Sequence, residues 1–155
     1  MSIKRFVLTF LLLGLVSESG LAQLDSRSFS GFSNQPQPLP LEQAFPFYVS
    51  ELGSGRFKIS WNLAEGHYLY RHAFNFSMQQ SSAAEELAID YTLPDGLKKT
   101  DEFFGDIEAY YDTVSVDISL PTVPGPDAML LIQYQGCADW GFCYPPQRYE
   151  FILSP

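Results

Sequence analysis

Arg56-Phe57-Lys58-Ile59-Ser60-Trp61-Asn62-Leu63 alternates without interruption between polar residues (Arg56, Lys58, Ser60, Asn62) and apolar ones (Phe57, Ile59, Trp61, Leu63). Successive side chains of a strand point to opposite faces, so this period of two predicts a β-strand with one buried and one wetter face. Upstream, Phe45 to Val49 is a shorter run of the same kind. Downstream, Glu65-Gly66 turns the chain into His67 to Met78, where Tyr68 and Tyr70 and then Phe74, Phe76 and Met78 keep the period, with a bulge or bend over residues 73–75. Leu87 to Tyr91 reads as a further strand, with Ala83 to Leu87 as an alternative helical turn, and Pro94-Asp95-Gly96 ends it. After a polar stretch, Val114, Val116, Ile118 and Leu120 alternate as far as Pro121. Ala128 to Tyr134 is apolar enough for a central strand, and Arg148 to Leu153 closes the pattern. About seven or eight short strands, almost no helix and no internal repeat predict an all-β, antiparallel two-sheet sandwich, with a barrel as the alternative of equal periodicity.

The flanks differ in character. Lys4 and Arg5 precede an almost unbroken apolar run from Phe6 to Val16, and Gly20-Leu21-Ala22 supplies small residues, so residues 1–22 read as an export signal peptide. The apolar run falls short of the ~20 residues a membrane span needs. Residues 23–41 are rich in Ser, Gln, Asn and Pro, with Pro36, Pro38 and Pro40 spaced two apart, and predict an extended lead-in. The domain is expected over residues 42–155, and its abrupt end after the last strand suggests one domain of a longer protein. From 9 basic and 18 acidic side chains, removing Lys4, Arg5 and Glu18 leaves 7 and 17. That balance argues against nucleic acid and anionic membrane surfaces as partners.

Two cysteines lie six positions apart in Gln135-Gly136-Cys137-Ala138-Asp139-Trp140-Gly141-Phe142-Cys143-Tyr144-Pro145-Pro146. An exported chain can hold them as a disulfide. As a staple the bond is weak, because closing about seven residues removes only roughly 2 to 3 kcal/mol of chain entropy. As a redox pair the same closeness is an asset, since one cysteine forms a mixed disulfide and its neighbour resolves it. Gly136 and Gly141 relax the shoulders of the loop, while Trp140, Phe142 and Tyr144 can shield the sulfurs. Spacing alone leaves structural and redox readings open. A zinc site is poorly supported by two cysteines and two distant histidines, and neither a Gly-x-Ser-x-Gly element nor a phosphate-binding glycine loop is present.

The segment from Gln135 to Pro146, together with Gly66-His67-Tyr68-Leu69-Tyr70-Arg71 and Asp101-Glu102-Phe103-Phe104-Gly105, closely resembles the N-terminal periplasmic domain family of the bacterial thiol:disulfide interchange protein DsbD. The resemblance runs from about Leu39 to Leu153. It implies an immunoglobulin-like sandwich acting as a thiol:disulfide oxidoreductase in the periplasm, with no bound cofactor or metal and the cysteine pair as redox center. Electrons are expected from the thioredoxin-like C-terminal domain of the same protein, whose membrane-embedded part would lie in the inner membrane. They are expected to pass to a periplasmic disulfide isomerase and to cytochrome c maturation proteins.

By the same resemblance Cys143 forms the mixed disulfide with partners and Cys137 resolves it, Phe103 caps the sulfurs, and Tyr68 and Tyr70 line the site. Phe103 and Phe104 sit conspicuously beside Asp101, Glu102 and Gly105, although packing against the sandwich end is the plain alternative. Asp101 and Glu102 can disfavour the thiolate or accept its proton, against ordinary solvation as their plain reading. Arg148 is the nearest basic residue in sequence, and Arg71 and His67 can approach only through folding, so a weakly activated thiol is expected. Core packing is the default for most of Tyr68, Tyr70, Tyr110 and Tyr111. The family pattern carries tyrosines where this chain has His67 and Phe104. Trp140, Phe142 and Pro145 are candidates for partner docking. The rival reading is a noncatalytic binding module with a structural disulfide.

Overall fold

The computed structural model describes residues 36–153. The expected leader and most of the expected lead-in lie outside the described residues. Residues 36–40 enter a four-residue helix, α1 (Leu41–Ala44), and the strands follow: β1 (Phe47–Gly53), β2 (Arg56–Asn62), β3 (His67–Tyr70), β4 (Asn75–Gln79), β5 (Leu87–Ala88), β6 (Leu97–Asp101), β7 (Gly105–Tyr110), β8 (Thr113–Ser119), β9 (Met129–Tyr134), β10 (Gly136–Ala138), β11 (Phe142–Cys143) and β12 (Gln147–Ile152). All pair antiparallel. Their ladders form three sheets rather than two, ordered β1-β2-β8, β12-β9-β4-β5 and β11-β10-β3-β7-β6.

The alternation in β2 does what its period requires. Phe57, Ile59 and Trp61 are buried and sit in register with Ile118, Val116 and Val114 of β8. Their cluster includes Phe76 and Met78 of β4 and Leu130 and Ile132 of β9. Trp61 is its hub, edge-on to Phe74 at 5.1 Å and to Tyr134 at 5.7 Å, and stacked on Phe47 at 5.4 Å. Each such side chain, fully buried, is worth about 1.5 to 3 kcal/mol of transfer free energy. The predicted central strand, β9, lies between β12 and β4.

Three departures from the sequence pattern shape the site. The bend expected over residues 73–75 falls slightly earlier, as a 3-10 turn at Arg71–Ala73, and there the chain changes sheet. Tyr68 and Tyr70 therefore belong to a different face from Phe74, Phe76 and Met78. The polar stretch before Val114 is a hairpin, β6–β7, whose first strand is an exposed sheet edge carrying Lys98 and Lys99. Edge strands are commonly blunted by lysine, which removes the hydrophobic signal by which a strand is recognised. Finally, β9 and β12 do pair on either side of the cysteine loop, but the cysteines form a hairpin of their own, β10–β11, which joins β3 in another sheet.

The two loop glycines also serve different ends. Gly141 adopts φ +91, the left-handed region that favours glycine. Gly136 lies opposite Leu69, and a Cβ there would stand 2.7 Å from Phe45 Cε1 and 2.8 Å from Leu69 Cδ2, so packing dictates that residue.

Candidate redox site

Strand β3 is buried on both faces. Leu69 enters the main core, whereas Tyr68 and Tyr70 form a second apolar cluster with Ile107, Ala109 and Cys137, flanked by Ala73, Tyr111 and Cys143. Cys137 and Cys143 are direct cross-strand partners joined as a disulfide, with Cα atoms 4.0 Å apart. Cys137 is fully buried, and Cys143, on the terminal strand of the sheet, is partly exposed.

The Tyr70 hydroxyl lies 3.0 Å from Cys137 Sγ and 3.7 Å from Cys143 Sγ. It donates to Asp101 Oδ2, which also accepts from the Tyr68 hydroxyl at 3.1 Å. The other oxygen of that carboxylate accepts from the backbone N–H groups of Phe103 at 3.0 Å and Phe104 at 2.7 Å. One side chain thereby closes the turn between β6 and β7 and anchors it to the tyrosines beside the sulfurs, the local advantage of Asp over an apolar residue in a turn. Burial opposes ionisation of Asp101, but the bonds from Tyr70, Phe104, Phe103 and Tyr68 outweigh it and hold its carboxyl below the usual range. Burial, reinforced by the bond to Asp101, pushes the Tyr70 hydroxyl far upward, so it remains a protonated donor.

Of the other residues of the Asp101 turn, Phe104 makes the side-chain contact with this core. Phe104 is 51% exposed, yet its ring meets Tyr70 edge-on at 4.9 Å and His72 at 5.0 Å. Phe103 is 53% exposed. Glu102 is exposed, and its Oε1 lies 4.0 Å from where a Cβ would stand on Gly141, so the turn borders the tip of the cysteine hairpin. On the far side of Cys143, Trp140 stacks on Phe142 at 5.4 Å and Phe142 meets buried Tyr144 edge-on at 4.9 Å. Pro145 is exposed beside them.

The basic residues considered from sequence are occupied elsewhere. His67 packs with Phe45 and Tyr144 on the main-core side, Arg71 pairs with Glu108 at 3.2 Å, and Arg148 pairs with Glu86 at 2.8 Å. Lys99, which the sequence reading passed over, does reach the site: its Nζ stands 4.0 Å from the centre of the Tyr68 ring. The usable signal was the alternation Leu97, Lys99, Asp101, visible only once β6 is known to be a strand. Tyr110 instead faces the core and donates to the Pro94 carbonyl at 2.5 Å. Among the described residues, no group of His, Cys, Asp and Glu is arranged to hold a metal ion.

The family model for the N-terminal domain of thiol:disulfide interchange protein DsbD matches residues 35–155. The chain belongs to the DsbD N-terminal domain family. It is 35% identical over 153 residues to DsbD 1 of Pseudomonas aeruginosa, covering 97% of this chain and 25% of that protein. It is 38% identical over 117 residues to DsbD of Vibrio cholerae, covering 76% and 18%. The chain thus spans about a quarter or less of the length of these DsbD proteins. The crystal structure of the reduced DsbD N-terminal domain of Neisseria meningitidis superposes with TM-score 0.65 at 29% identity, covering 76% of this chain and 90% of that one. The same domain in complex with the PilB N-terminal domain gives TM-score 0.59 at 27% identity, covering 74% and 85%. The three packed sheets match the immunoglobulin-like fold of those DsbD domains, and the chain is a periplasmic redox domain of the family with a disulfide-forming cysteine pair.

Proposed function

We propose that this domain is a protein-disulfide reductase module that relays electrons by exchange at Cys143, with Cys137 as the resolving cysteine. The observation that carries the reading is the asymmetry of the pair: Cys143 is partly exposed on a two-residue edge strand, whereas Cys137 is fully buried beneath it. A partner thiolate attacks Cys143 Sγ, the bond to Cys137 breaks, and Cys137 leaves as a thiolate beside the Tyr70 hydroxyl. A second partner thiolate then attacks the partner sulfur of the mixed disulfide and releases Cys143, so the partner becomes a disulfide and the domain gains two electrons and two protons. Running the sequence in reverse on an oxidised partner passes them on.

In this reading the donor is the thioredoxin-like C-terminal domain of the same protein, held to the inner membrane by a separate domain, and the acceptors are a periplasmic disulfide isomerase and cytochrome c maturation thiol proteins. The solved complex of a DsbD N-terminal domain with a PilB domain supports docking of protein partners in general. Phe103, on the turn closed by Asp101, acts as the cap over the sulfurs, with Phe104, Glu102, Tyr68 and Tyr70 around it, until docking displaces the turn. Trp140, Phe142 and Pro145 form the apolar docking rim. The layout is an export signal over residues 1–22, a lead-in over 23–41 and the redox domain over 42–155.

The test is to incubate a Cys137→Ala variant with periplasmic extract and identify what becomes disulfide-linked to Cys143. A thioredoxin-like domain in the trapped species is expected. Capture of no exchange-competent partner, with a wild-type disulfide insensitive to mild dithiol, would favour a noncatalytic module with a structural bond.

A further inference from the structure

Lys99 connects parts of the site that are remote in sequence. Its ammonium lies 2.5 Å from Asp139 Oδ1 and donates to the Tyr111 hydroxyl at 2.7 Å, while Tyr111 itself donates to the same Asp139 oxygen at 2.7 Å. Asp139 is the first residue beyond β10, at the tip of the cysteine hairpin, and its own N–H donates to the Gly66 carbonyl at 2.8 Å. The Lys99 ammonium also faces the ring of Tyr68, whose hydroxyl donates to Asp101. The side chain of Lys99 is 25% exposed and that of Asp139 47%, so the pair is half-open to solvent and is held in place by the Tyr111 hydroxyl that bonds to both partners. Burial works against the charge on Lys99, yet Asp139 and Tyr111 hold its pKa well above the ordinary lysine range.

We propose that Lys99 is a positioning residue for disulfide exchange, clamping the tip of the cysteine hairpin through Asp139 and Tyr111 to the β6–β7 hairpin that carries Asp101. The need for a clamp follows from the size of the hairpin. Strand β10 has three residues and β11 two, β11 has a single neighbour, and Gly141 places a left-handed residue between them. Once the sulfur-sulfur bond is broken, few backbone bonds hold the two thiols together. A fixed tip keeps them in reach, which raises the effective concentration of one for the other. The inference rests on the exchange reading above, but it concerns an intrinsic property of the dithiol that can be measured without a protein partner.

The experiment equilibrates the domain with glutathione and glutathione disulfide. One protein thiolate attacks glutathione disulfide, giving a mixed disulfide and one glutathione thiolate; the second protein thiolate then closes the protein disulfide and releases the other glutathione. The protein loses two electrons, and its two thiol protons end on the two glutathiones. The ratio of protein disulfide to mixed disulfide gives the effective concentration. Lys99→Met is expected to lower it roughly three- to fivefold, the upper range for losing a partly exposed, hydrogen-bonded ion pair. Lys99→Arg should restore it to within about twofold, because the ion pair to Asp139 survives. Lys99→Met and Asp139→Asn combined should do little more than either alone, as members of one network are non-additive. An unchanged effective concentration in Lys99→Met, or an equal fall in Lys99→Arg, would overturn the proposal. If Lys99→Met proves poorly folded, Tyr111→Phe, which removes one arm of the same cluster, decides the matter by the same ratio, with a fall expected and no change counting against the clamp. Failure to trap a partner on Cys143 would leave this ratio untouched and would count against the relay alone.

Discussion

Replacing Asp101 with Asn tests how the β6–β7 turn is held to the tyrosines beside the sulfurs. The carboxylate accepts four hydrogen bonds, two from Tyr68 and Tyr70 and two from the backbone N–H groups of Phe103 and Phe104. An amide has one acceptor oxygen. The backbone donors cannot turn, so the amide oxygen goes to them, and the amide nitrogen then faces two hydroxyls that had been donors. Bonds to a charged group contribute about 1.5 to 3 kcal/mol and neutral ones about 0.5 to 1.5. Losing the charge at four bonds, at about 1 kcal/mol each, gives about 4 kcal/mol if the site were fully buried, and partial exposure of Asp101 together with re-pairing of the two hydroxyls to water reduces this to about 1.5 to 2 kcal/mol. If the disulfide reacts only when the turn is open, its rate follows the open fraction, so Asp101→Asn should accelerate reduction roughly ten- to thirtyfold. The assay is pseudo-first-order reduction by dithiothreitol at pH 7, with thiols alkylated at intervals and counted by mass, alongside the urea midpoint. A rate within about twofold of wild type in a folded variant would show that the Asp101 bonds do not control access.

Three further outcomes test the cap, the packing of the cysteine hairpin and the charge on Asp101. Phe103→Ala should speed the same reduction several-fold, whereas an unchanged rate would remove Phe103 from the role of cap. Gly136→Ala should lower stability in urea by about 1 to 3 kcal/mol with a smaller effect on exchange, because its methyl group would overlap Phe45, Leu69 and the Tyr68 carbonyl. Asp101 is held below its ordinary pKa, so its contribution should be fully present above the unfolded value of about 3.9 and disappear as pH falls through the lower folded value. Urea titrations of wild type and Asp101→Asn should therefore give a stability gap that is constant from pH 7 to about pH 5 and narrows in stronger acid; a gap that does not narrow at all between about pH 5 and pH 2 would refute that assignment.

The strands legible in the sequence are β2 and β8, whose alternation records one buried face, and β9, whose continuous apolar run records burial on both. The hairpin β6–β7 was not legible. Its first strand is an edge whose residues face solvent or polar partners, and only Ile107, Ala109 and Tyr110 of its second strand are buried. That hairpin carries Asp101, Phe103 and Phe104, so the motif was recognisable while the element that presents it was not. Likewise the aromatic run from Tyr68 to Met78 reads as one face, although the 3-10 turn at Arg71–Ala73 sends its halves to different sheets.

The sequence by itself determined the all-β class and, through three motif blocks, the family, and with it the redox reading that the cysteine spacing leaves open. These rest on local quantities: side-chain period, turn residues and short motifs. Tertiary structure decided which cysteine faces solvent, which carboxylate joins the Tyr70 hydroxyl beside the sulfurs, and which cation reaches the cysteine hairpin. Each depends on pairing between strands far apart in the chain, β3 with β7 and β3 with β10, which sets the β6–β7 hairpin and the cysteine hairpin on either side of the same tyrosine strand. Register across a sheet sets such neighbours, and a polar edge strand leaves little hydrophobic trace of its register in the sequence.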